Sequence, residues 1–175
     1  MKYLPIILFL FLCIGVFIIN SNSNAPEYDY LRIHIRANSN DEVDQIVKYI
    51  IKDEVVDYVT PHLVGCDSKE KSVRAINGLL PNIEGVCDGV LSANGFSYTA
   101  KAQVRVEKFP TRTYDNVTLQ AGNYHALIIE LGSGEGDNWW CIVYPPLCFV
   151  NKSGASAQNI QYQSYLMDVV KKYFD

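Results

Sequence analysis

Leu31-Arg32-Ile33-His34-Ile35-Arg36 alternates apolar and basic residues, and Ala37-Asn38-Ser39-Asn40-Asp41 follows it at once. A period of two belongs to a strand with one buried face. It predicts Arg32, His34 and Arg36 on a polar, solvent-facing edge. The Asn/Ser/Asp run stops the strand and offers N-cap oxygens. A helix is then predicted from Asp41 to Val59, with Val43, Ile46, Val47, Ile50 and Ile51 on one face. Glu54 intrudes on that face, Asp44 is placed to pair with Lys48, and Pro61 ends the element.

Working outward, Lys69 to Leu80 reads as a helix broken by Pro81-Asn82. A further helix over 82–94 is weakened by Gly85 and Gly89, with Gly95 placed as its C-cap. Tyr98 to Val106 alternates again. Tyr124 to Leu131 and Trp139 to Tyr144 are two more strands, joined by the hairpin-length loop Gly132–Asn138. Gln158 to Phe174 carries an amphipathic stripe at helical spacing. The expected class is α+β: an N-terminal strand, two or three helices, then a mostly antiparallel sheet, with a C-terminal amphipathic helix. The expected organisation is a membrane-targeting segment over 1–25, one globular domain over 26–152, and a linker with the terminal helix over 153–175.

Met1-Lys2-Tyr3 precedes an uncharged run from Leu4 to Ile19. That run is a signal-peptide core or a short membrane anchor, because spanning needs about 20 apolar residues. Lys2 keeps the N-terminus inside and sends the remainder across the membrane. Cleavage after Ser21 or Ser23 and an uncut anchor are both compatible with the sequence. Lys and Arg total 15 against 19 Asp and Glu, and the basic residues are scattered along the 175-residue chain. A nucleic-acid binder normally shows a basic excess or stripe, so no nucleic-acid partner is expected.

The exported part keeps Cys66, Cys87, Cys141 and Cys148. Four cysteines allow three pairings, and four free thiols are the alternative. Pro145-Pro146 favours a reversal between Cys141 and Cys148. The glycine loop is followed by a strand and by no Lys-Ser/Thr, so it is no phosphate cradle. His125 with Cys141 is a poor nucleophile pair if their strands form a hairpin. His62, Cys66 and Cys87 make at most a partial zinc set. No catalytic residue, cofactor or metal is expected. The most unusual stretch is Asn138-Trp139-Trp140-Cys141-Ile142-Val143-Tyr144-Pro145-Pro146-Leu147-Cys148-Phe149-Val150. Read as a strand it has no polar face, so either this chain covers both faces or one meets a partner.

That block, together with Phe109-Pro110-Thr111-Arg112-Thr113-Tyr114, Ala121-Gly122-Asn123-Tyr124 and the strand and turn at 31–40, resembles the stage II sporulation protein R family over roughly residues 30–150. The resemblance implies a non-enzymatic signal exported from the forespore into the space between forespore and mother cell. Such a signal acts on a membrane-embedded aspartic-type protease, stage II sporulation protein GA, which processes the precursor of the mother-cell sigma factor E. On this reading Trp139, Trp140, Pro145, Pro146, Leu147 and Phe149 form the partner-binding block. Arg32 and Arg36 offer a second surface, and Cys141 is bridged to Cys148. Membrane contact runs through the N-terminal segment if it is uncut. The competing classes are an exported cell-wall hydrolase and a structural protein of the spore envelope.

Overall fold

The computed structural model describes residues 29–114 and 117–145. The targeting segment, Pro146, Leu147, Cys148, Phe149 and the terminal stripe lie outside the described residues. The chain order is β1 (Leu31–Arg36), α1 (Glu42–Leu63), α2 (Lys69–Ala93), β2 (Ala100–Phe109), β3 (Arg112–Tyr114), β4 (Val117–Leu119), β5 (Gly122–Leu131) and β6 (Asn138–Tyr144). Four strands form one sheet in the order β2-β5-β1-β6, and β3-β4 is a separate ribbon. β1 runs parallel to β5 and antiparallel to β6, and β2 runs antiparallel to β5. This is the α+β class with a mostly antiparallel sheet.

Both helices cover one face of the sheet. Leu31, Ile33 and Ile35 of β1 meet Val47, Ile51, Val55 and Val59 of α1, and Ile76, Ile83, Cys87 and Leu91 of α2, in one apolar core. Two expectations about proline are corrected. α1 continues through Pro61 to Leu63, and α2 is a single helix through Pro81. An interior proline costs roughly 3 kcal/mol. In α2, however, the stripe Val73, Ile76, Leu80, Ile83, Cys87, Leu91 continues across the break, and burying it outweighs that cost. Pro61 is exposed in the last turn of α1; it forfeits one bond, to the carbonyl of residue 57, while Val59 and Leu63 on either side of it are buried in the core. Glu54 points to solvent instead of into the core face. α2 ends as expected: Gly95 has φ +80°, its N–H bonds Ser92 O at 3.1 Å, and Phe96 N–H bonds Leu91 O at 3.0 Å.

Two further expectations give way at β1. It is not half-exposed: Arg32 is 0% and His34 4% exposed. Alternation marks two chemically different faces, but it does not say that the polar one is wet. Nor do β5 and β6 form a hairpin, because β1 lies between them and their connection straddles its end. That connection is tied to the turn after β1. Ser133 N–H donates to Asn38 Oδ1 at 3.0 Å and its hydroxyl to Asn38 O at 2.6 Å. Gly136 N–H bonds Ala37 O at 2.9 Å, and Asp137 N–H bonds Asn40 Oδ1 at 2.6 Å. A Cβ at Gly136 would lie 2.1 Å from Ser39 O, so only glycine allows the approach.

Beneath the turn sits Asp44, 4% exposed. Its carboxylate accepts from Asn38 Nδ2 at 2.8 Å, Ser39 Oγ at 2.6 Å and Tyr98 OH at 2.5 Å. Burial, then the bond to Asp44, pushes the Tyr98 phenol well above its usual range. The expected Asp44–Lys48 pair gives way to other contacts: Lys48 Nζ donates to Gln45 Oε1 at 2.6 Å and Asp137 O at 2.9 Å.

Gly136→Ala should destabilise the fold by about 2–3 kcal/mol, because the contact is with backbone and cannot yield. Gly85→Ala, where an added Cβ meets nothing within 4 Å, should stabilise it by about 0.5–1 kcal/mol. Urea midpoints at unchanged slope measure both. Equal effects would show that the loop does not clasp the turn.

Candidate functional site

The second face of the sheet takes the other parity of each strand: Arg32, His34 and Arg36 from β1, and Arg105, Glu107 and Phe109 from β2. β5 contributes Tyr124, Ala126, Ile128 and Glu130, and β6 contributes Asn138, Trp140 and Ile142. At one end the centre is apolar, with Phe109, Leu119, Tyr124, Ala126, Ile128 and Ile142 buried together. The guanidinium of Arg32 lies in this cluster, 4.0 Å from the Phe109 ring centre and 4.9 Å from that of Tyr124, and donates to the Tyr114 hydroxyl. Its Nε and Nη1 are buried without a hydrogen bond. Burial pulls its pKa below the usual arginine value, against the favourable influence of Tyr114.

Toward the other end the polar side chains join. Arg36 bonds Glu107 Oε1 at 2.8 Å and Glu130 Oε1 at 3.0 Å. Arg105 bonds Glu107 Oε2 at 2.9 Å and 3.1 Å and approaches Glu130 at 3.5 Å. His34 Nδ1 lies 3.0 Å from Glu107 Oε1. Burial opposes charge on Glu107, but Arg105, Arg36 and His34 together hold its carboxyl below the usual range. Burial lowers the His34 pKa despite Asn138 and Glu107. Sequence reading missed Glu107, Glu130, Arg105, Arg112 and Tyr114. Strand parity would have placed Arg105 and Glu107 on one face of β2, but the partner that Glu107 and Glu130 share, Arg36, is 71 and 94 residues away from them.

The two tryptophans point to opposite faces and both are partly exposed. Trp139 packs against the helix-side core with Lys52 Nζ 5.9 Å from its ring centre. Trp140 lies on the second face, 5.3 Å from the His34 ring, with the guanidinium of exposed Arg112 4.2 Å above it. Pro145 is exposed at the end of β6, after a cis Tyr144–Pro145 bond. Arg36 is 26% exposed and bound to glutamates. Arg32 is no surface residue, since the aromatic cluster encloses it.

The expected weakness of a His125–Cys141 couple stands for a different reason: β1 separates their strands. His125 lines an open cavity of about 380 Å³ with Lys69, Glu70, Val73 and Arg74. Cys66 and Cys87 are free thiols, and burial pushes Cys87 up to about 12, so it stays protonated. Among the described residues no group of three or more His, Cys, Asp or Glu is arranged to hold a metal ion.

The class defined so far is an α+β domain with helices on one face of its sheet and a charged, aromatic second face. The profile of the stage II sporulation protein R family matches residues 27–154, and the chain belongs to that family. It is 35% identical over 127 residues to the stage II sporulation protein R of Bacillus subtilis (strain 168), which covers 73% of this chain and 57% of that protein. The match thus spans little more than half of the relative's length. No solved structure matches this chain.

Arg32 gives a stability test. Arg32→Met should stay within about 1 kcal/mol of the parent or exceed it, since an apolar side chain of similar length suits the cluster. Tyr114→Phe should cost about 1–3 kcal/mol by leaving the guanidinium without its hydroxyl partner. Reversal of that order in urea midpoints would mean the charge itself stabilises the fold. His34 and Glu107 both have pKa values below their ordinary 6.5 and 4.5. Each contribution is therefore full above those values and is lost as pH falls through the lower, folded-state values. His34→Gln should flatten the decline in thermal midpoint between about pH 7 and about pH 5. An unchanged slope would show that His34 protonates alike in folded and unfolded chains.

Proposed function

We propose that this chain is a secreted intercellular signal of sporulation. It activates a membrane-embedded aspartic-type protease of the stage II sporulation protein GA kind and so triggers processing of the mother-cell sigma factor E precursor. Membership of the sporulation family supports the setting, and the uncharged Leu4–Ile19 run supports export into the space between forespore and mother cell. The observation that carries the contact surface is Trp140. It is a partly exposed aromatic on a sheet-edge strand, topped by an arginine and followed by the exposed Pro145. Tryptophan and arginine are the residue types that most often dominate binding energy.

The ligand acts by binding the active state of the protease more tightly than the inactive one. A difference of about 5.5 kcal/mol takes a two-state equilibrium from 1:99 to 99:1. Trp139, Trp140, Pro145, Pro146, Leu147 and Phe149 are the contact residues, the two tryptophans reaching the partner from opposite faces of β6, and a Cys141–Cys148 bridge links the segment. Reduction of that bridge weakens signalling by loosening the block. The chain does no chemistry on its target.

Co-expression of this chain, the protease and the sigma-factor precursor in a non-sporulating host tests the reading. Precursor cleavage should require this chain and its export, and the Trp139→Ala, Trp140→Ala double variant should lower it at least about tenfold, the loss of roughly 1.4 kcal/mol of binding. Cleavage without the exported chain would overturn the signalling role.

A further inference from the structure

We propose that the sheet face around Trp140 and Arg112 docks an acidic, extended protein segment, with a carboxylate of that segment paired to Arg112. The proposal rests on the signalling reading only for the identity of the partner, which is then the outer part of the protease. Arg112 is exposed, and its guanidinium carbon sits over the indole, 4.2 Å from the ring centre. A guanidinium held over a ring is already ordered, so pairing costs little further freedom.

Charge on this face favours an acid. Arg36 and Arg105 are engaged by Glu107 and Glu130. Arg112 makes no ion pair with any described carboxylate, and neither does Lys101, which shares the parity of Arg105 and Glu107 on β2. The chain carries a formal charge of −4, yet among the described residues this face holds Arg32, Arg36, Lys101, Arg105 and Arg112 against Glu107 and Glu130. A basic face on an acidic protein steers and orients an acidic partner. Trp140 supplies the apolar floor beside it, as hot spots with desolvated neighbours require.

The test uses the full chain carrying Trp139→Phe, so that emission reports Trp140 alone. Two ten-residue probe peptides alternate Glu with Thr, or Lys with Thr. The Glu peptide should change the emission saturably, bind about tenfold more weakly when salt is raised from about 0.05 to about 0.5 M, and lose binding with Arg112→Glu. Arg112→Lys should bind at intermediate strength, since it keeps the charge and loses the planar fork. Near-UV circular dichroism checks that each variant is folded. In the reconstituted system, Arg112→Glu should depress precursor cleavage, and an acid-to-Arg exchange in the protease's outer segment should restore it. Equal binding of both peptides, or full binding by Arg112→Glu, would overturn the proposal. So would binding to phosphatidylglycerol vesicles without binding to the Glu peptide. If the unaltered chain triggers no cleavage, the signalling reading falls, and the peptide result still decides the acidic-segment proposal.

Discussion

A buried carboxylate holds the architecture together. Among the described residues Asp44 has no cationic partner; it is satisfied by Asn38, Ser39 and Tyr98, three neutral donors from two places in the chain. Leaving such a group unpaired costs more than the bonds themselves are worth. The turn after β1 therefore has one favourable shape. That shape presents Ala37 O, Asn38 O, Asn38 Oδ1 and Asn40 Oδ1 to the β5–β6 connection. Hence a connection short enough for a hairpin instead steps over β1 and leaves it in the middle of the sheet.

Placing β1 centrally has an energetic consequence. Its helix-side residues are apolar and pack as any central strand does. Its other residues are Arg32, His34 and Arg36, of which a central position removes the first two from water and the third in part. Each is accommodated differently. Arg32 is sandwiched by rings, His34 loses its tendency to charge, and Arg36 is shared between two glutamates. Buried ionic groups seldom add net stability. What they provide here is direction, since Glu107 can satisfy His34, Arg36 and Arg105 together only if β2, β5 and β1 keep their register.

Local chemistry was legible in the sequence and pairing order was not. The strand at 31–36, the helix after it, the glycine cap at 95 and the α+β class follow from periodicity and turn chemistry, which act over a few residues. Pro61 and Pro81 mislead because a breaker's cost is local, whereas the stripe it interrupts is stabilised by the whole core. The insertion of β1 between β5 and β6 leaves no local trace, because Asn38 and Ser133 are 95 residues apart. The tryptophan pair stands out in the sequence as a stretch with no polar face, but Arg112 above Trp140 depends on where the β3–β4 ribbon folds, and no spacing encodes that.

The clasp and the face are one device. Successive residues of a strand point to opposite faces, so a one-residue slip of β6 would exchange Trp139 and Trp140. Among the described residues β6 is an edge strand with β1 as its single neighbour in the sheet, and their register already shifts between Leu31 and Arg32. What sets the register lies at the other end. Gly136 is bonded to Ala37, Asp137 is held by Asn40 and Lys48, and Asn138 then falls opposite Arg36. From that anchor Trp140 falls opposite His34 and beneath Arg112, while Trp139 turns to the helices. The close approach permitted by Gly136 thus decides which tryptophan the charged face presents. A fault in the loop would act on recognition by turning the wrong side chain outward, even where the core stayed folded.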